Sequence, residues 1–209
     1  MKKLFIILAV LLFSSSAFSQ LNINLQAGVN FSNLTELTEL PEGFPIALTT
    51  SPIPGFVIGG NLQIGGSFYF QPGVYWHTLG SELSVSSFST DNVVINAIQI
   101  PAFLGYRIVN TGLFDVRLYA GGSLLFVTKI NENEFSFLDQ TFSVRKEDFA
   151  DQVWGVVGGV GLDFTIFTVD LNYEYGLSNL IDTSVMIGLE EIPAQGKNNV
   201  IRLVGGLKL

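Results

Sequence analysis

The sequence contains no cysteine, a single histidine and only 13% charged residues, and each shortage removes a class of protein. Without thiols there is no disulfide scaffold, and one imidazole with no thiolate leaves zinc or iron without donors, so neither metal nor cofactor is expected. Ten Lys and Arg against 18 Asp and Glu offer too little positive charge to neutralise phosphates, which excludes a nucleic-acid partner. No apolar run approaches the roughly 20 residues of a membrane-spanning helix. What the 209 residues hold in quantity is glycine, at 22, and apolar side chains, at 48%.

Lys2 and Lys3, the apolar stretch from Leu4 to Phe13, and Ala17-Phe18-Ser19 before Gln20 read as a secretory signal peptide over residues 1–19. Residues 20–209 are then one mature domain. Without the two leader lysines, 8 basic residues face 18 acidic ones, a net charge of −10. The missing cysteines fit an exported bacterial protein.

Along that domain apolar residues recur with period two, the signature of strands. Ile23, Leu25, Ala27, Val29 and Phe31 alternate with Asn22, Asn24, Gln26, Gly28 and Asn30. The pattern returns in Phe56, Ile58, Leu62 and Ile64, then in Phe68, Phe70, Val74 and Trp76. Further on it appears in Ile98 to Tyr106, in Val116 to Phe126, and in Trp154, Val156, Val160, Leu162 and Phe164. Val169 to Tyr175 and Ile201 to Leu209 complete eight strands. Long connections, Ser32 to Pro54, Thr78 to Asp91, Lys129 to Ala150 and Ser178 to Lys197, alternate with short ones at Gly65-Gly66, Val109 to Leu113 and Thr165-Ile166. Strict alternation of long and short connections is the habit of transmembrane barrels, with the short turns and both termini on the periplasmic side.

Of the 18 acids, 14 lie in or beside the long connections, opposed by Lys129, Arg145, Lys146 and Lys197. The strands hold Arg107, Arg117, Arg202 and Lys208 against Asp163, Asp170 and Glu174, all on the polar face. An unpaired charge inside a narrow barrel costs several kcal/mol, so these seven are expected to form an interior ionic network. A soluble lipocalin-like cup would share the eight strands but place its apolar face inward. Here the polar face offers mostly Asn, Gln, Gly and Tyr, too little charge for a water-exposed coat, so the apolar face should meet lipid in a closed antiparallel up-and-down β-barrel. Trp76, Trp154 and Tyr175 toward one end, and Phe68, Tyr106, Phe164 and Phe167 toward the other, suit interfacial aromatic girdles.

Phe70-Gln71-Pro72-Gly73-Val74-Tyr75, Ile98-Gln99-Ile100-Pro101, Tyr173-Glu174-Tyr175-Gly176-Leu177-Ser178-Asn179 and Lys197-Asn198-Asn199-Val200-Ile201 resemble, in order and spacing, the PorT-type outer-membrane barrel family of Bacteroidota. The likeness spans nearly the whole mature chain, with two departures: Asn172 where the family usually has arginine, and Leu209 where a terminal aromatic is common. It implies an OmpX-like eight-stranded barrel in the outer membrane and, for PorT itself, an association with type IX secretion. The last strand, with Ile201, Leu203, Leu207 and Leu209 alternating to the end, is similar to the strand that barrel-assembly machinery reads. The expected partners are outer-membrane lipid and lipopolysaccharide, that machinery, and secretion or surface components at the external loops.

Chemistry is sparse. His77 has Thr78, Ser81 and Glu82 near it in sequence, the ingredients of a Ser-His-Glu lipid hydrolase, but an interfacial structural histidine is the reading preferred. No catalytic residue is therefore assigned, and a non-enzymatic barrel is the first choice over a lipid-modifying enzyme or a narrow channel. Glu36, Glu39 and Glu42, or Glu132, Glu134 and Asp139, have the chemistry for Ca²⁺ or Mg²⁺, yet solvated loop charge explains them. The run Gly155 to Gly161 lacks the Lys-Ser or Lys-Thr of a phosphate loop and suits side-chain room inside a barrel. Asn33-Leu34-Thr35 matches a glycosylation triplet by chance in a bacterial protein. Phe135, Phe137, Phe142 and Val144 around Asp139-Gln140 predict a hairpin prolonging the fifth and sixth strands, while Leu83, Val85 and Phe88 suggest apolar spots in the second loop.

Overall fold

The structure is a computed structural model that describes residues 21–35, 48–85, 89–111, 113–130, 134–137, 140–143, 150, 152–187 and 190–209. The expected leader, Glu36, Glu39, Glu42, Glu132, Asp139, Val144, Arg145 and Lys146 lie outside the described residues.

Every described element is a strand: β1 (Leu21–Thr35), β2 (Leu48–Gly65), β3 (Phe68–Val85), β4 (Ser89–Asn110), β5 (Phe114–Ile130), β6 (Glu134–Phe137), β7 (Gln140–Ser143), β8 (Gln152–Phe164), β9 (Phe167–Gly176), β10 (Asn179–Ile187) and β11 (Glu190–Lys208). Eight of them, β1, β2, β3, β4, β5, β8, β9 and β11, pair antiparallel in that order, and β1 pairs with β11 to close the barrel. Closure is finished by Leu209, whose N–H donates to the Ile23 carbonyl oxygen at 2.8 Å and whose own carbonyl accepts from the Ile23 N–H at 3.1 Å. The start of β1 and the end of β11 therefore share the short-turn end.

The alternation read from sequence sorts the side chains between two environments. Leu25, Phe56, Ile58, Leu104, Leu118, Val156, Leu171 and Leu203 point outward and are exposed, whereas Asn24, Gln26, Asn30, Asn61, Gln63, Gln71, Gln99 and Arg117 point inward and are buried. The three short turns keep β2 to β3, β4 to β5 and β8 to β9 tight. Gly65 takes φ 127° to enter its turn, and Thr165 takes φ 53°, where its hydroxyl donates to the Phe164 carbonyl oxygen at 2.7 Å.

One expectation changes. The second and fourth long connections are mostly strand, and strand enters the others: β3 and β4 run on to Val85 and from Ser89, β2 already begins at Leu48, and β10 with the first half of β11 forms a hairpin inside the fourth. The hairpin in the third connection exists as β6 and β7, with Phe135 opposite Phe142, as a two-stranded sheet, and the residues joining it to β5 and β8 lie outside the described residues.

Candidate functional site

Since the outer surface is apolar, the chemistry of the barrel lies in its lumen and at its long-loop end. The lumen is layered. Nearest the short turns, Arg117 is wholly buried, with Nη2 at 2.8 Å from Asp163 Oδ1 and 3.0 Å from Asp170 Oδ1, and it also donates to Thr168 Oγ1 at 2.9 Å. Lys208 Nζ stands 3.1 Å from Asp163 and 3.7 Å from Asp115, and Arg107 lies 3.9 Å from Asp115 while donating to Gln63 and the Gly66 carbonyl oxygen.

One level up, uncharged groups interlock. Asn24 donates to Asn61, Asn61 donates to Gln26 Oε1 and to the Tyr75 hydroxyl oxygen, and Tyr75 donates in turn to Gln26 Oε1 at 2.6 Å. Gln26 then donates to Asp170, tying this layer to the ionic one below. Above it Arg202 pairs with Glu174, whose carboxylate also accepts from Ser123 at 2.6 Å and from Gln99 at 2.7 Å. Gln99 Oε1 faces His77 Nε2 at 2.9 Å.

All seven charged strand residues named from sequence thus stand inside and in contact, and Asp115 joins them. Four cations meet four carboxylates, so the lumen is close to neutral. Asp115 was legible as the inward residue two before Arg117 on β5. Space for these large side chains comes from glycines on the facing strand: a Cβ on Gly159 would lie 2.5 Å from Tyr119 Cζ, and one on Gly161 would lie 2.6 Å from Arg117 Cζ. That accounts for Gly159 and Gly161, whereas a Cβ on Gly158 would meet nothing within 4 Å.

His77 is not interfacial. Its ring is buried inside the barrel against Gln99, on the face opposite to lipid, while the outward neighbour on β3 is Trp76. Ser123, not a residue adjacent in sequence, is the hydroxyl of that layer, and it donates to Glu174 rather than to His77.

Above His77 the lumen changes character, which the sequence reading did not anticipate. Leu79, Ile95, Ala97, Leu125, Val127, Val153, Leu180 and Val200 point inward and pack into one apolar cluster. Among the spaces between the layers are one of about 20 Å³ beside Asn172 and Arg202 and one of about 10 Å³ beside His77 and Glu174. Each has room for about one water molecule.

On the outside, the seven aromatic residues named from sequence stand at two heights, among other exposed aromatics such as Phe70 and Phe114. Phe68 and Tyr106 pair across β3 and β4 with ring centroids 4.6 Å apart, and Phe164 faces Phe167 across the last turn, all at the short-turn end. Trp76, Trp154 and Tyr175 stand exposed farther up their strands. Eight residues separate Phe68 from Trp76, about 26 Å along a strand, or about 20 Å of height at a tilt near 40°, close to the roughly 25 Å apolar band of outer-membrane barrels.

A closed antiparallel barrel with an exposed apolar belt and a polar, charge-balanced lumen is the arrangement of a protein dissolved in lipid. The sequence pattern of outer membrane protein beta-barrel domains matches residues 13–182. The chain belongs to that family. The barrel of this outer-membrane protein overlays the crystal structure of OprG from Pseudomonas aeruginosa with a TM-score of 0.55, at 13% identity, over 90% of this chain and 95% of that one. It overlays Neisserial surface protein A with a TM-score of 0.51, at 9% identity, over 90% and 96% of the two chains. At such identities the likeness is one of fold. The sequence has no match among curated proteins.

Proposed function

We propose that this protein is a non-enzymatic outer-membrane barrel whose long-loop end faces the cell exterior and engages a partner there, a surface polymer or a component of a secretion apparatus as in the PorT-type proteins it resembles. The filled lumen is the observation that supports this reading. Among the described residues the interior charges are paired and an apolar cluster packs above them, and the single histidine is buried away from lipid. What remains available for work is the end where the long connections and 14 of the 18 acids gather. In this reading residues 1–19 are removed as a leader, both termini are periplasmic, lipid and lipopolysaccharide surround the belt, and β11 serves as the signal for assembly machinery through outward Ile201, Leu203, Leu207 and Leu209.

The cysteine-free sequence makes the orientation measurable. A membrane-impermeant maleimide applied to intact cells is expected to label Asp182→Cys and to spare Thr165→Cys; the reverse pattern refutes the orientation. Replacing residues 36–47 and 131–149 by short Gly-Ser linkers is expected to leave insertion intact and abolish cross-links to cell-surface components. Cross-links that persist, or that arise from the short-turn end, refute the partner reading.

A further inference from the structure

The lower edge of the lipid-facing belt is uneven, and the β4–β5 turn makes it so. A path through paired residues leads from Leu21 to Ile64, Phe70 and Leu104 and onward round the wall to Phe31, ten residues farther along β1 than it began. With about 3.3 Å per residue and strands tilted by ~40°, each step to the next strand climbs about 3 Å. On this scale the exposed Leu21, Phe68, Phe164 and Leu209 lie within about 2 Å of one level, whereas Phe114 lies about 3 Å and Leu113 about 5 Å beneath it.

The turn that projects is apolar at its tip. Leu113 is 68% exposed, Phe114 is exposed beside it, and so is Ile108, the extra residue where β4 shifts register against β5. Turns that project into water usually carry glycine and short polar side chains, as Gly65-Gly66-Ser67 does between β2 and β3. The tip is also held in shape. Thr111 Oγ1 donates to the Phe114 carbonyl oxygen at 2.7 Å and accepts from the Phe114 N–H at 3.0 Å, and the Leu113 carbonyl oxygen accepts from the Thr165 N–H at 3.0 Å. That last bond sets Leu113 beside the β8–β9 turn, where Ile166 is 55% exposed. Neither the stretch from Ile108 to Phe114 nor that from Phe164 to Phe167 contains a charged residue. The charges of this end, Arg107, Asp115, Asp163 and Lys208, meet one another inside the lumen.

We infer that the β4–β5 turn is a membrane anchor: Leu113 and Phe114, with Ile166 beside them, insert among the phospholipid acyl chains of the leaflet at the short-turn end, and the barrel leans so that this side sits deeper. Lipid is the occupant that the surface fits. The tip continues the exposed row Phe114, Phe164, Phe167 and Leu207, which are register partners across four neighbouring strands of the lipid-facing wall. It presents no charge for a polar partner to pair with, and apolar side chains at a membrane surface bury themselves at the boundary of headgroups and acyl chains. The inference needs the lipid-facing belt alone and stands apart from the reading of the long-loop end.

The cysteine-free sequence allows single nitroxide labels at Asn110→Cys and Ser67→Cys, both exposed turn positions, in the folded mature chain in dioleoylphosphatidylcholine vesicles. Power saturation compares collisions with oxygen, which partitions into lipid, and with a nickel chelate, which stays in water. The label at Asn110 is expected to be several-fold less accessible to the chelate than that at Ser67. Adding Leu113→Asn with Ile166→Asn to the Asn110-labelled chain is expected to restore access, with heat-dependent gel mobility verifying that the barrel is folded. The comparison of the two labels leaves the anchor residues themselves unaltered. Equal chelate access at the two positions overturns the anchor, as does unchanged protection in the folded, doubly substituted chain. Protection at Asn110 that fades as the protein is diluted in lipid shows a second copy as the occupant and also overturns the inference.

Discussion

Arg117→Leu is the most incisive perturbation of the barrel interior. Its guanidinium lies 2.8 Å from Asp163 and 3.0 Å from Asp170, and its side chain has no exposure. After the substitution Asp163 keeps Lys208 at 3.1 Å and Thr168 at 2.9 Å, whereas Asp170 keeps only the uncharged donors Gln26 and Thr168. Removing one partner of a buried pair costs ~3–5 kcal/mol, because the remaining charge is left in a low-dielectric interior. Lys208 relieves one of the two orphaned carboxylates, which places the expected loss near the lower end, about 3 kcal/mol. Adding Asp170→Asn removes the other orphaned charge at the same shape and is expected to restore more than half of that loss. Urea titration in lipid vesicles reads this through Trp76 and Trp154, both on the outer surface. A loss below about 1 kcal/mol, or no recovery in the double variant, refutes the account of the lumen as a set of mutually dependent buried pairs.

Arg202→Leu and Glu174→Leu should each destabilise the barrel by about 2 kcal/mol or more in the same titration, and the double substitution should sit closer to wild type than their sum; two silent single variants would dismiss the upper ion pair. Leu104 is 72% exposed on the outer face, so Leu104→Arg should cost ~2–4 kcal/mol if it lies near mid-membrane, and a neutral effect in vesicles would mean that this face does not meet lipid. In planar bilayers the wild-type protein should show no defined single-channel step, since its lumen is filled; a reproducible conductance contradicts that. Deleting Leu207 to Leu209 removes both backbone bonds between Leu209 and Ile23 and the Leu207–Leu25 register position, so the folded, heat-shifted form should vanish from the outer membrane. Normal assembly of the shortened chain would strip the C-terminal strand of its role as a signal.

How far the fold could be read from sequence follows from which solvents flank each strand. In the lower barrel hydrocarbon lies outside and polar groups lie inside, so Phe68, Phe70, Val74 and Trp76 alternate cleanly with Tyr69, Gln71 and Tyr75. The charged residues of the lumen were legible for the same reason, being the rare ionic groups at inward positions. In β8 the alternation is less clean, because Val153 and Val157 point inward while Val156 and Leu162 point outward, with glycines between. Above Trp76 the pattern reads as loop. There Leu79 is apolar at an inward position, out of phase with Trp76, and the switch reads as an interruption although the backbone continues straight to Val85. Asn30 shows another hidden feature. Its amide donates to the carbonyl oxygens of Phe56 and Thr78, where the β2–β3 register shifts, and nothing in a one-dimensional pattern reveals that irregularity.

That change of phase recurs around the circumference and locates a boundary. Leu79 follows outward Trp76 on β3, inward Ile95 and Ala97 precede outward Ile98 on β4, Leu125 and Val127 flank Phe126 on β5, Val153 precedes Trp154 on β8, and Val200 precedes Ile201 on β11. In five strands the apolar side therefore moves from outside to inside at about the height of Trp76 and Trp154. A strand buries its apolar face away from water, so such a switch occurs where the outer medium changes from hydrocarbon to water. Beyond that height the chain is no longer a membrane wall but a small water-exposed β structure with its own apolar core. The segment from β2 to β5 and the β10–β11 hairpin are thus held in place by Leu79, Leu125, Leu180 and Val200 rather than by lipid. Surface residues mounted on such a core keep fixed relative positions, which is the requirement for recognising a partner.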